Sequence, residues 1–140
     1  MSRVQLAINV ENLDEAIDFY SRLFDAVPAK VKPGYANFAI VEPPLKLVLF
    51  ENQGKGGSIN HLGVEVQTTE EVLTAEDRLT RADMVTTGVD ETQCCYAEKT
   101  EVWVDGPDGV RWEWYVKHAD SDQFENVVID PSQSKRKCCA

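Results

Sequence analysis

Two stretches of the chain alternate apolar and polar side chains as strands do, and they superpose when the sequence is shifted by 56 residues. VQLAINV, residues 4–10, then lies on NHLGVEV, residues 60–66. The same shift sets Asn12 on Thr68 and Glu15 on Glu71, so each strand leads into a polar cap with Glu at the capping-box position, the start signal of a helix. Helical spacing follows in both copies. The first helix carries Leu13, Ala16, Ile17, Tyr20, Leu23 and Phe24 on one stripe, and the second carries Val72, Ala75, Leu79 and Ala82.

Residues 35–41 and 45–51 read as two further strands around a Glu42-Pro43-Pro44 turn, and the Gly-rich NQGKGGS at 52–58 reads as a flexible crossover. In the second half, residues 84–89 are a candidate strand, 99–105 a strand, GPDG at 106–109 a strong turn and 110–116 the closing strand. The order is βαβββ, twice. Modules of roughly 55 residues are too small to bury a convincing core alone. The expected fold is therefore α+β, a single domain over residues 1–116 built from module one (3–52) and module two (58–116). From residue 117 the chain is polar and, apart from Val127-Val128-Ile129, without periodicity, so residues 117–140 are expected to form a mobile polar tail.

Strand parity separates the faces. In the first strand Val4, Leu6, Ile8 and Val10 point one way, toward the helix, and Gln5, Ala7 and Asn9 the other; Leu62, Val64 and Val66 oppose His61, Gly63 and Glu65 in the same manner. In the last strand Arg111, Glu113 and Tyr115 alternate with Trp112, Trp114 and Val116. Gln5, His61 and Glu113 are thus expected to converge away from the apolar packing. On residue type alone, His61 fits a hydrogen-bonded structural histidine as well as a metal ligand, Gln5 a solvated strand residue, and Glu113 an edge carboxylate. The three tryptophans read as core or wall packing.

Charge narrows the partners. Fourteen Lys and Arg against 24 Asp and Glu leave a formal charge of −10 on 140 residues, which disfavours nucleic acid and anionic membrane and favours a small-molecule partner. No apolar run approaches the roughly 20 residues of a membrane helix. MSRVQLAINV enters a strand without a secretory leader pattern, so the cytoplasm is the expected location. The four cysteines form two vicinal pairs, Cys94-Cys95 and Cys138-Cys139. Neighbouring cysteines close almost no loop and make poor staples, whereas two adjacent thiols chelate soft atoms. Polar Glu91, Thr92 and Gln93 point to an exposed first pair, with Lys99 a candidate to favour its thiolates; Lys135-Arg136-Lys137 would do the same for Cys138-Cys139, a candidate for auxiliary metalloid capture.

The paired βαβββ modules, Gln5 and His61 near the starts of the two first strands, and GPDGVRWEWY with Glu113 resemble the vicinal oxygen chelate (glyoxalase/extradiol dioxygenase-like) superfamily over residues 3–116. Within it, INHLGVEV and above all TQCCYAEKTEVWVDGPDGVRWEWY, with its Cys94-Cys95, resemble the carbon–arsenic lyases and the related cadmium-induced proteins. The resemblance implies a cup-shaped mixed sheet with helices outside. It also implies Fe(II) held by Gln5, His61 and Glu113, molecular oxygen as co-substrate, and a methyl or aromatic arsenic(III) compound held by Cys94 and Cys95. The products would be arsenite and an oxidised organic fragment, in arsenic detoxification.

Laying LKLVLF on RWEWYV puts Leu47 where Glu113 lies, leaving three protein ligands where glyoxalases usually supply four. One imidazole with oxygen ligands and open positions is a variant of the facial triad of non-haem iron chemistry. Two other readings stand beside it: a non-catalytic, thiol-based arsenic or cadmium binder, and a glyoxalase-like isomerase with little use for Cys94-Cys95. The organic substituent and the oligomeric state stay open.

Overall fold

The structure, a computed structural model, describes residues 2–122, 124, 125, 127 and 128. Its element order repeats: β1 (Arg3–Val10), α1 (Leu13–Phe24), β2 (Lys30–Lys32), β3 (Tyr35–Ile40) and β4 (Leu45–Glu51) are followed by β5 (Ile59–Val66), α2 (Thr69–Arg81), β6 (Asp90–Cys94), β7 (Ala97–Asp105) and β8 (Arg111–Asp120). A short β9 (Val127–Val128) follows. The chain forms two compact units, one over Arg3–Leu62 and one built from Gly63 onward.

In the first unit the strand order is β2-β3-β4-β1, with β1 parallel to β4 and the other pairs antiparallel. Asn12 starts α1 by accepting the backbone N–H of Glu15, and Asp25 ends it in the left-handed conformation. The apolar face of β1 meets the helix as parity requires: Leu6, Ile8, Ala16, Ile17 and Tyr20 pack on Phe38, Leu47 and Leu49. Phe38 and Leu49 are fully buried, each contributing about 1.5–3 kcal/mol of apolar transfer. Residues 52–58, expected as a flexible crossover, are a hydrogen-bonded loop. Glu11 accepts the N–H groups of Gly54 and Gly56, and Asn52 donates to Asn9 Oδ1. A Cβ on Gly56 would meet the Glu11 side chain at 2.6 Å, so the carboxylate can close on the loop only over glycine.

In the second unit the order is β5-β8-β7-β6-β9, the same 2-3-4-1 arrangement in its four module strands. Thr68 and Glu71 form a full capping box at the start of α2. Val66, Val72, Val102 and Val116 make the core on the α2 side, joined by Trp114.

Two expectations need correcting here. Residues 84–89 are not a strand: Met84 and Val85 are exposed, Gly88 takes a positive φ, and only Thr86 bridges to Val104. The strand in that place is Asp90–Cys94, whose buried side chains are Asp90, Thr92 and Cys94; a polar inward face gives no apolar alternation to read. Residues 117–120, expected in the tail, are also strand: β8 runs on to Asp120 against β7, and Val127–Val128 pairs with β6. Among the described residues no helix is long and apolar enough to cross a membrane.

Candidate metal ligands and cysteine pair

On the face of β1 turned from α1, Gln5, Ala7 and Asn9 are all buried, and β4 adds Lys46, Val48 and Phe50 by register. His61, 2% exposed, comes from β5 onto Gln5: the two Nε2 atoms lie 3.1 Å apart. Asn60 fixes the imidazole. Its Nδ2 donates to Asn9 Oδ1 at 3.0 Å, which leaves its Oδ1 to accept from His61 Nδ1–H at 2.8 Å. The network thereby assigns the Nδ1–H tautomer and directs the Nε2 lone pair at Gln5, which donates to it. Asn9 is itself held by donating to Ser58 and accepting from Asn52. An imidazole with one nitrogen tied to an amide oxygen and the other lone pair presented beside a second amide is the outer arrangement that metal-ligating histidines use. Turning the Gln5 amide about its last torsion replaces Nε2 with the oxygen a metal requires.

In the second unit one sheet face carries the charge. Register places Trp103 opposite Glu113 and Glu101 opposite Tyr115 across β7 and β8, with Lys99 on the same face. Lys99 Nζ lies 3.1 Å from Glu113 Oε2 and 3.0 Å from Glu101 Oε2, all three side chains being buried. Burial works against the Lys99 ammonium, but the two carboxylates outweigh it and raise Lys99 above the ordinary lysine range. Burial likewise raises Glu101 above the usual carboxylate range, with Lys99 opposing and Glu113 adding to the rise. One ammonium facing two carboxylates leaves this buried group with a surplus of negative charge when both are ionised. That surplus suits a divalent cation at Glu113. Tyr115 completes the face, its ring 5.0 Å from Lys99 Nζ and its hydroxyl donating to Glu65 at 2.9 Å.

The cysteine pair sits where β6 turns into β7. Consecutive residues of a strand point to opposite faces, so two neighbouring cysteines in a plain strand would hold their sulfurs apart. Here Cys94 ends β6, and Cys95 and Tyr96 make the whole turn with φ of 53° and 61°, a two-residue hairpin with both central residues left-handed. Such turns favour Asn-Gly; occupying one with Cys-Tyr costs on the order of 1–3 kcal/mol per residue. The turn brings the two Sγ atoms to 3.2 Å. Residues past β8 hold the turn, Phe124 O accepting from Cys95 N–H and Ser121 N–H donating to Tyr96 O.

The expected site residues fall out as follows. Gln5 and His61 are together in the first unit. Cys94 and Glu113 share one face of the second unit's sheet, and Trp103 on that face packs against Cys94. Cys94, expected exposed, is fully buried, since strand parity sends it inward while Glu91 and Gln93 point outward; Cys95 is half-buried. Lys99 serves the two carboxylates, not the sulfurs. The alignment of Leu47 on Glu113 is off by one face: Leu47 packs toward α1, and β4 presents Lys46 and Val48 on the side of Gln5. Neither is a carboxylate, so the first module still adds no acidic ligand on that face. Asn60 and Glu101 were not singled out, although the IN before His61 and the KTE before Trp103 were the signals available. Cys138 and Cys139 lie outside the described residues.

The model of the glyoxalase/bleomycin resistance protein/dioxygenase superfamily matches residues 3–114. The chain is 60% identical to the cadmium-induced protein CadI of Mycobacterium bovis over 124 residues, 89% of this chain and 82% of that protein. It is 53% identical over 123 residues to the trivalent organoarsenical cleaving enzyme of Thermomonospora curvata, covering 87% and 82%. Among solved structures, the 2,3-dioxygenase LapB of Pseudomonas sp. KL28 superposes with a TM-score of 0.61 at 19% identity, over 84% of this chain and 41% of that one, a likeness of fold. With its βαβββ modules in tandem and these relatives, the chain belongs to the glyoxalase/bleomycin resistance protein/dioxygenase superfamily.

Proposed function

We propose that this protein is an Fe(II)-dependent dioxygenase that cleaves the carbon–arsenic bond of trivalent organoarsenicals and releases arsenite. The observation that carries the reading is the strained Cys95-Tyr96 turn, which sets two sulfurs 3.2 Å apart on the sheet face that also bears buried Glu113. A glyoxalase-like isomerase has no use for that device. The similarity to a trivalent organoarsenical cleaving enzyme supports the same substrate class.

In the reduced protein, Cys94 and Cys95 would each replace a hydroxyl of a methylarsenic(III) species, with two water molecules leaving and two As–S bonds forming. Backbone held by Phe124 and Ser121 keeps the pair in place, so the arsenic is oriented before the reaction begins. Gln5, His61 and Glu113 would hold the metal, with Asn60 keeping the His61 lone pair available and Lys99 lying beside the Glu113 carboxylate. Fe(II), when bound, would supply the activation of dioxygen that the carbon–arsenic bond requires. Buried Trp103 and Tyr115 line the same face and limit water there.

The test is anaerobic reconstitution with Fe(II) under reductant, then methylarsenite and oxygen, with arsenite measured for wild type, His61→Ala and Cys95→Ser. Arsenite from the wild type alone supports the lyase. Turnover that survives both substitutions overturns the assigned residues, and tight arsenic binding with no turnover favours sequestration.

A further inference from the structure

We propose that Lys99 is a resident cation: it holds Glu113 in the metal-free protein, yields it to a divalent metal while remaining on Glu101, and so sets how tightly the metal binds. This rests on the reading of Glu113 as a metal ligand. The geometry is that of an exchange already prepared. Lys99 Nζ touches both carboxylates at about equal distance, 3.1 Å to Glu113 and 3.0 Å to Glu101, so leaving one requires no movement of the backbone. An ammonium is a compact charge with three rotatable donors on a flexible stem, and it can keep one partner while losing another. The Tyr115 ring beneath it, 5.0 Å away, gives the ammonium a second attraction independent of Glu113.

The placement explains why a lysine is buried here at all. Without a metal, two buried carboxylates on neighbouring strands repel each other, and the ammonium between them keeps the face folded. With a metal on Glu113, the positive charge nearby opposes the incoming cation, while Glu101 offsets the ammonium. Lys99 and Glu101 should then act on metal affinity with opposite signs, whereas a purely structural ion pair would lower affinity whichever member were removed.

The experiment uses the full chain and Mn(II) alone as probe, free Mn(II) being read by electron paramagnetic resonance, with thermal melting of the metal-free protein alongside. Lys99→Met is expected to bind Mn(II) about tenfold more tightly and Glu101→Gln about tenfold more weakly, shifts of the size that partners of a ligand produce. Metal-free Lys99→Met should melt lower than wild type and regain most of the loss when Mn(II) is added. Affinity that falls in both variants, or changes in neither, overturns the proposal. Glu113→Gln separates this failure from that of the underlying reading. If it binds Mn(II) like wild type, Glu113 is no ligand. If it loses Mn(II) while Lys99→Met gains nothing, Lys99 alone has been misassigned. Should Lys99→Met not fold, Glu101→Gln decides: weaker binding supports the exchange and unchanged binding overturns it.

Discussion

The two units bury polar faces of opposite character. In the first, Gln5, Asn9 and Asn60 surround His61 with neutral amides, whose hydrogen bonds fix direction without adding charge. In the second, Lys99, Glu101 and Glu113 are three buried ionisable side chains, with the ammonium in contact with both carboxyl groups. Under the proposed function the amide side would orient a lone pair for a metal, and the ionic side would supply negative charge. Amide networks tolerate burial because each donor meets an acceptor. The ionic group tolerates it because the Lys99 ammonium lies against both carboxylates.

The largest expected effect comes from removing a proposed ligand on either side. His61→Ala and Glu113→Gln should each lower Fe(II) affinity beyond the roughly 10–100-fold cost of losing an outer partner. Equilibrium dialysis under anaerobic conditions checks this, and a variant with wild-type affinity removes its side from the account. Next comes Lys99→Ala, which leaves two buried carboxylates facing each other and should cost about 3–5 kcal/mol in urea unfolding of the metal-free protein. A loss no larger than that of an exposed ion pair would mean the ionic face is not under strain.

Asn60→Ala probes the amide side more gently. It removes the acceptor of His61 Nδ1–H, should weaken metal binding by about 10–100-fold, and should leave the melting temperature close to wild type because the neighbouring network persists. The smallest effect lies at the helix starts, where the units differ again: α1 has Asn12 as its cap and Glu51 of β4 accepting the Leu13 N–H, whereas α2 has the reciprocal Thr68–Glu71 box. Thr68→Ala should cost about 1 kcal/mol. The backbone N–H groups of Gln67 and Thr68 hold the Glu71 carboxylate below its ordinary 4.5. A depressed carboxylate gives stability that is present above the unfolded value and lost as pH falls through the folded one. The urea midpoint of wild type should therefore exceed that of Glu71→Gln at neutral pH, and the gap should close in acid below 4.5.

Much of the scaffold was legible because it rests on periodicity. The repeat, both helix caps and the two faces of β1 and β5 follow from alternation and capping residues, and the structure reproduces them. What escaped was polar. Lys30–Lys32 is too short to show a pattern, and Asp90–Cys94 has acid, hydroxyl and sulfur as its inward side chains. Lys99 and Glu101 alternate with Thr100 and Val102 just as a solvated strand face would, and sequence cannot distinguish a face open to water from one where charges are buried against each other. The Cys94-Cys95 pair was conspicuous by type, yet its sulfur geometry depends on two non-glycine residues taking positive φ, against local preference.

The central claim of the proposed function is that arsenic taken up by Cys94 and Cys95 would react beside a metal that Glu113, on the same sheet face, would help to hold. The most direct measurement is the electron paramagnetic resonance spectrum of the Fe(II)-loaded protein treated with nitric oxide, recorded with and without methylarsenite. The account predicts that methylarsenite changes the wild-type spectrum and leaves that of Cys95→Ser unchanged. A wild-type spectrum indifferent to methylarsenite that is bound at stoichiometric level would contradict it.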